Sequence, residues 1–599
     1  MLNLALEHTT SRHQLQTKSL LETRLVDVHD QTKASETLLQ RVDKLYEFER
    51  EPVSEDKLES GKHFAALFGG EHVAGTEFVI GAAFVTWGAS AADVLVGLLI
   101  GNALAVLSWT LVCAPIATRT RLTLYWYLRK IAGPGVTAVY NVLNAFLFCI
   151  LSGTMITVSA SAIRIPFGIA PQTKWYPEDI RFVLIVFIVG AVVVSVAILG
   201  FRRLAQFSEV CVPWLFAMFT AGAIGMLPVL AANSTGAVSL SSLSDLWMIA
   251  REQIWIHDPD GGLGLWHIAA FAWICNLAFH VGLSDMAVLR YAPRASYGLY
   301  SAFGMYLGHY LAWVCAGVMG AAAAVMLQKP LVELDAGEVA YQSLGLAGIL
   351  AVIIAGWATS NPTLYRAGLA LQAVTPGWPR WFVTLLAGIA TTIVACFPFV
   401  FTRLLDFVAL FGILLSPVGA IVFVEHWIFP RIGFQQYWFS ATGKSISWPA
   451  ATAWSVAVSI ALGLWFTEAL HMFFIAIPLW FVSAVMYIGF AAIAGAKHTD
   501  PGQIAPLPTA RNLNAISKPP NVRPAWVRLV GSVALATLLI QLALPVWMIS
   551  LTAEKYQSTK SSYHFLLGIS SLVHLAAIAV WVLMVERTER ASEITPTGT

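Results

Sequence analysis

Residues 356 to 372 read GWATSNPTLYRAGLALQ, and how this stretch is read decides the fold. It lies in an apolar run long enough to cross a bilayer, for which roughly 20 residues suffice. Yet it carries Thr359, Ser360, Asn361, Thr363, Tyr365 and Arg366, with Pro362 among them. Polar side chains in hydrocarbon are costly and mark a path or a site. Two adjacent hydroxyls and an amide offer oxygen ligands to a hard cation, and sodium suits them. Pro362 removes an N–H donor and frees a carbonyl one turn earlier; such a group is tolerated at membrane depth where it is partnered or lines a cavity. The competing reading is that the hydroxyls bond back to their own helix or bridge to a neighbour, as is common in membrane bundles. Arg366 either snorkels or faces an internal acid.

The rest of the chain agrees with a membrane setting. Hydrophobic residues make up 57% and charged residues 12%, with a mean hydropathy of +0.70, well outside the range of soluble domains. The 36 basic and 34 acidic residues leave a net charge of +2, which gives no indication of a nucleic-acid partner. Cys113, Cys149, Cys211, Cys275, Cys315 and Cys396 fall in apolar segments without metal-type spacing, so they read as small packed side chains. No two of the histidines stand at HxxH or HxxxH spacing, and a metalloenzyme reading has no support.

Apolar runs of the required length number about fourteen, near 73–91, 93–115, 132–162, 181–200, 204–231, 265–288, 298–327, 343–373, 381–401, 404–428, 448–467, 470–494, 526–550 and 564–585. Four regions follow: a polar tail over residues 1–65, a core of twelve spans over 66–495, a proline-rich linker over 496–525, and two further spans within 526–599. The tail has no apolar secretory-signal segment, and its run from Leu20 to Glu49 spaces leucines and valines as an amphipathic helix does. Basic residues orient the spans, because cytoplasmic loops carry excess Lys and Arg. Arg119, Arg121, Arg129 and Lys130 follow span two, and alternate loops hold Arg202, Arg203, Arg290, Arg294, Arg380, Arg431 and Lys444. Both termini are therefore expected on the cytoplasmic side of the inner membrane.

Two further spans are rich in polar groups or breakers. Span six, LWHIAAFAWICNLAFHVGLSDMAVLRYA over 265–292, carries His267, Trp273, Asn276, His280 and Asp285. Span one, with EHVAGTEFVIGAAFVTWG over 71–88, is short and punctuated by Gly75, Gly81 and Gly88. Interrupted segments at matching places in two halves point to the binding site of an inverted-repeat transporter. Spans one and six stand five apart, as a five-plus-five repeat demands. His280 and His309 are embedded, and read either as a proton relay or as hydrogen-bonded groups of the bundle.

The chain resembles the nucleobase:cation symporter family of cytosine, purine and hydantoin permeases. The resemblance covers roughly residues 70 to 495 and rests on VGLLIGNAL (96–104), APIATRTRLTLYWYLRKIAGPG (114–135), SDMAVLRYAPRAS (284–296) and ATSNPTLYRAGLALQAVTP (358–376). It implies a LeuT-like all-α fold of two inverted five-helix repeats with added C-terminal helices, and uptake coupled to sodium or protons. By that resemblance Thr359 and Ser360 ligate sodium with carbonyls of the first helix around Gly81 to Phe84, Ala82 among them. Substrate is met by Gly81, Trp273, Asn276, Asn361 and Tyr365. The family's Trp-x-Gly-x-Gln pattern on the third helix falls on Leu151, Gly153 and Met155, so both its stacking ring and its amide are missing. Either Phe146 or Phe148 stands in from another turn, or the solute is smaller and not a flat heterocycle.

The expected activity is sodium-coupled symport of a small polar organic solute such as a nucleobase, with protons as the alternative coupling ion. The competing class is a membrane sensor that binds the solute without moving it. An enzyme lacks a catalytic constellation. The last two spans, rich in Leu, Ala and Val, are expected to brace the bundle or a homo-oligomer.

Overall fold

In a bilayer every backbone polar group must be satisfied within its own segment or a closed barrel, and apolar runs of this length resolve as helices. The computed structural model describes residues 47–234, 240–504, 507, 524–551 and 553–594. The run from Leu20 to Glu49 and the linker over 496–525 fall mostly outside those residues. All regular elements among the described residues are helical. Among the described residues eleven helices are long and apolar enough to cross a membrane, and three shorter apolar ones are Glu77–Thr86, Leu265–Ile274 and Arg380–Ala395.

The order of elements repeats. Helix α1 is broken into halves, Gly61–His72 and Glu77–Thr86, and is followed by α2 (Ala91–Thr120), α3 (Leu124–Ile163), α4 (Ile180–Ile198) and α5 (Phe201–Asn233). Helix α6 is broken in turn, into Leu265–Ile274 and Leu277–His280 with a last turn at Met286–Leu289. It is followed by α7 (Ala295–Leu327), α8 (Leu346–Gln372), α9 (Arg380–Ala395) and α10 (Leu404–Ile432). Helices α2 and α7, at matching places, each contain a π-helical segment, Trp109–Cys113 and Phe303–Tyr310, a feature frequent at functional sites. Helices α11 (Trp448–Phe466), α12 (Met472–Ile493), α13 (Ala525–Ile549) and α14 (Lys555–Arg587) complete the chain.

The break in α1 corrects the sequence reading. Hydropathy places span one at 73–91 and the family resemblance puts its ligating carbonyls around Gly81 to Phe84, whereas the chain unwinds at Val73–Thr76, with Val73 at φ −98°, ψ 58°. The half-helix Gly61–His72 precedes the break and is too polar for an apolar-run search to find. Gly75 sits where a Cβ would come within 2.8 Å of Val158 on α3 and 3.3 Å of the Val352 carbonyl on α8. Gly81 and Ala82 lie inside the second half-helix, Gly81 pressed on α7 where a Cβ would stand 2.7 Å from the Trp313 carbonyl. In the break of α6, Leu283 takes φ 66°, a left-handed conformation that costs about 1–2 kcal/mol for a non-glycine residue.

Two basic residues of the alternate loops, Arg290 and Arg380, are buried. Arg121 donates to the carbonyl of Arg290 at 3.1 Å, while Arg290 itself holds the carbonyls of Glu47 and Phe48, both at 2.6 Å. Arg380 lies 3.8 Å from Glu49, and Arg50 donates to the Gln372 carbonyl at 3.1 Å. The segment after residue 46 is thereby strapped across the ends of α6, α8 and α9. Helix α14 packs on α5, with Tyr563 donating to the Ala221 carbonyl at 2.9 Å and Glu586 3.1 Å from Arg202.

Candidate functional site

Helices α3 and α8 pack along each other, and the breaks of α1 and α6 lie against them. The last carbonyls of one half-helix and the first N–H groups of the next have no intrahelical partner, so a break at membrane depth gathers polar groups around whatever space it leaves. Here it leaves a cavity. Glu71, Thr76, Glu77, Asn276, His309, Thr359 and Thr363 supply its polar lining. Ile80, Leu151, Met155, Phe279, Val408 and Phe411 supply apolar wall.

Arg366 holds the breaks together. Its Nη1 and Nη2 meet the two oxygens of Glu71 at 2.5 and 2.9 Å, and its Nε donates to Asp285 at 3.1 Å, with Nη2 also on Asp285. The indole of Trp109 donates to the other Asp285 oxygen at 2.5 Å. Arg366 and Asp285 are fully buried and Glu71 is 5% exposed. The fork geometry of guanidinium on carboxylate is the strong form of this interaction, and it ties α8 to both broken helices. Of the two readings of Arg366, the internal acid is the one observed. The guanidinium also lies 4.7 Å from the ring centroid of Phe279, on the cavity wall.

A second carboxylate, Glu77, opens the other half of α1. Trp313 on α7 donates to it, and His309 Nε2 lies 3.8 Å from its other oxygen. His309 stacks on Trp313 with centroids 4.0 Å apart, and His72 meets it edge-on at 4.9 Å. Asn276 Nδ2 stands 3.4 Å from His309 Nε2.

The hydroxyl pair of α8 diverges. Thr359 donates to the carbonyl of Glu71 at 2.8 Å, at the frayed end of the first half-helix. Ser360 turns to α3, with its Oγ 2.5 Å from that of Ser152 and 3.1 Å from the Ser152 carbonyl. The hydroxyl of Thr359 and the carbonyl of Glu71 fit a hard cation as oxygen donors, beside a charge centre that holds two carboxylates and one guanidinium. The Gly81 and Ala82 carbonyls lie within the second half-helix, away from this point.

The remaining sequence candidates are dispersed. Asn276 lines the cavity at the break of α6, and Leu151 and Met155 face it from α3. Phe148 stands one layer back, its ring 5.4 Å from Phe279 and 5.8 Å from Phe411, while Phe146 is 60% exposed. Trp273 is outside the lining, its indole donating to Ser108 of α2 at 3.0 Å. Tyr365 points to the strap, donating to Glu47 at 2.9 Å. Asn361 is buried, and neither atom of its amide has a partner among the described residues. His280 bonds to the Trp273 carbonyl at 3.1 Å.

Glu71, Glu77, Phe279 and Phe411 escaped the sequence reading. The signal for the acids was present in EHVAGTE, where two glutamates flank a glycine-bearing stretch at the edge of an apolar run. The rings carried none, since nothing distinguishes them from the other phenylalanines of the chain.

No family model and no curated protein matches the chain. Solved structures do. A Na+-coupled sialic acid symporter in a substrate-bound outward-open state superposes with a TM-score of 0.50 at 14% identity, over 79% of this chain and 96% of that one. MhsT in complex with L-phenylalanine aligns at a TM-score of 0.41 and 15% identity, over 74% and 99% of the two chains. A manganese transporter of Eremococcus coleocola aligns at 0.38 and 12%, over 89% and 94%. The likeness to the first is one of fold, and with the repeated element order and the paired breaks it makes the chain an all-α membrane protein of LeuT-like architecture.

Proposed function

We propose that the protein is a secondary active transporter that carries a small polar organic solute in symport with sodium. The observation that carries this reading is the cavity itself. It forms where both broken helices meet α3 and α8, and it combines apolar walls with a few convergent polar groups, the composition of a small-molecule site. In inverted-repeat transporters substrate and ion sites lie at such discontinuities.

Sodium would be held by the Thr359 hydroxyl and the Glu71 carbonyl, and its charge would offset the excess negative charge of the Glu71, Asp285 and Arg366 group. Neutral oxygens serve this role without burying another net charge. Ser360, engaged by Ser152, fixes α8 against α3 so that Thr359 stands at the break. The side that carries the strap is the cytoplasmic one, by the charge rule for short loops. Nucleobases and related compounds are the first solutes to examine, on the strength of the motif in α8.

Uptake into proteoliposomes under an imposed inward sodium gradient tests the reading. Accumulation that collapses when the gradient is dissipated is the expected result. Solute binding with no flux under any gradient would overturn it in favour of a sensor.

A further inference from the structure

We propose that the solute of this cavity is a small organic cation, an ammonium or amidinium group whose charge is received by Glu77. The assignment rests on the transport reading above and specifies its substrate class. Charge within the lining is the starting point. Among the described residues two carboxylates border the cavity and no arginine or lysine does. Glu71 is occupied, since both its oxygens bind Arg366. Glu77 is not occupied in that sense: it is 2% exposed, takes one N–H from Trp313, and among the described residues has no arginine or lysine within ion-pair distance. Its neighbour is His309 at 3.8 Å. A buried carboxylate is neutralised either by a proton or by a counter-charge with hydrogen bonds; the open side of Glu77 is the cavity, from which a cation can supply the second.

The walls select the same class. Phe279 and Phe411 line the space; Phe279 already carries the Arg366 guanidinium 4.7 Å from its centroid, which leaves Phe411 as the ring available to attract a desolvated cation. Ile80, Leu151 and Met155 accept the apolar body of such a molecule. A neutral planar base is disfavoured by the same residues, because Leu151 and Met155 on the α3 wall offer it neither a stacking ring nor a hydrogen-bonding amide. Size agrees as well. The cavity volume is about 50 Å³, room for roughly three to five waters or a solute of few heavy atoms. His309 Nδ1, buried and without a partner among the described residues, offers a further polar contact beside the carboxylate.

The test compares charged and neutral molecules of one shape on the purified full-length protein in sodium. Binding of guanidinium is measured against urea, ethanolamine against ethylene glycol, and cytosine and uracil are included, by isothermal calorimetry on wild type and Glu77→Gln. The cation of each pair is expected to bind roughly 10- to 100-fold more tightly, the worth of a hydrogen bond to a charged group, and Glu77→Gln is expected to erase most of that ratio. Tighter binding of urea, ethylene glycol or a nucleobase overturns the assignment, as does a cation preference that survives Glu77→Gln. Should that variant not fold, the wild-type ratios still decide. Uptake of the same molecules under a sodium gradient separates the two readings. Accumulation of a neutral solute alone leaves the transporter standing and removes the cation. Cation binding without accumulation removes the transporter and leaves the cation. Binding by none of them overturns the cation assignment, and uptake of none then overturns the transport reading too.

Discussion

The charge centre at Arg366 gives a prediction whose sign does not depend on which solute is carried. Two buried carboxylates share one guanidinium, so the three side chains are not equivalent. Replacing Arg366 by Met leaves Glu71 and Asp285 facing each other with no cation, and removal of one partner from a buried pair costs about 3–5 kcal/mol. Here two partners are orphaned, so that figure is a lower bound for Arg366→Met. Asp285→Asn or Glu71→Gln instead leaves one carboxylate on the guanidinium, a balanced pair. Each of those changes is expected to cost about 1–3 kcal/mol, the range for a charged hydrogen bond. Glu71→Gln is the milder where its amide still reaches Arg366, whereas Asp285→Asn also disturbs the 2.5 Å bond from Trp109.

The order of stability is then wild type, the two carboxamide variants, and Arg366→Met last. Combining Arg366→Met with Glu71→Gln and Asp285→Asn recovers much of the loss, because no unpaired charge remains. Thermal unfolding of the detergent-purified proteins, followed by size-exclusion recovery after heating, reads this order. An Arg366→Met protein as stable as wild type, or a triple variant no better than Arg366→Met alone, would refute the reasoning. Either outcome would mean that the centre is not held together by charge.

Three further outcomes follow from the same geometry. Thr359→Val is expected to lower the sodium dependence of solute binding at least about tenfold, the worth of one buried polar ligand, while Ser360→Ala keeps it; equal effects in a sodium titration would show that both hydroxyls serve packing. Cys275 lines the cavity and Cys149 does not, so saturating solute should slow alkylation of Cys275 by N-ethylmaleimide and leave Cys149 unchanged, as read by peptide mass spectrometry. Gly419 on α10 abuts the Val281 carbonyl in the break of α6, and Gly419→Ala is expected to cost about 1–3 kcal/mol by overpacking. Gly463→Ala on α11, with nothing within 4 Å of its new methyl, should be neutral in the same melting assay.

How much of this was legible beforehand depends on what each residue must do locally. Long apolar runs report helices directly, and polar groups inside them single out segments, so α8 and the interruption of span six could be read from the chain alone. The register of α1 could not. Its first half, GKHFAALFGGEH, belongs to the bundle because its polar end faces other protein and not lipid, and hydropathy cannot distinguish those two surroundings. Tyr365 and Arg366 make the same point. They are adjacent in sequence, yet one reaches the strap at Glu47 and the other the charge centre. A helix turns by about 100° per residue, and only the neighbours decide which of two polar residues meets the cavity.

The loops mislead for a related reason. Arg290 and Arg380 were countable as charges that orient the chain, but burial gives them a second task, closing the ends of α6 and α9 over the segment from Glu47. That segment, the break in α1 and the charge centre are mechanically one unit. Glu71 lies in the last turn of the first half-helix with its carboxylate on Arg366 and its carbonyl on Thr359, and Glu77 begins the second half across only Val73–Thr76. A cation settling at Thr359 and a solute settling at Glu77 therefore act on the two ends of the same short unwound stretch. Whatever geometry one ligand imposes on that stretch the other must accept, and the coupling free energy between them is shared equally by both binding reactions. Under the proposed transport reading, symport would use that linkage, and the four residues Val73–Thr76 would carry it.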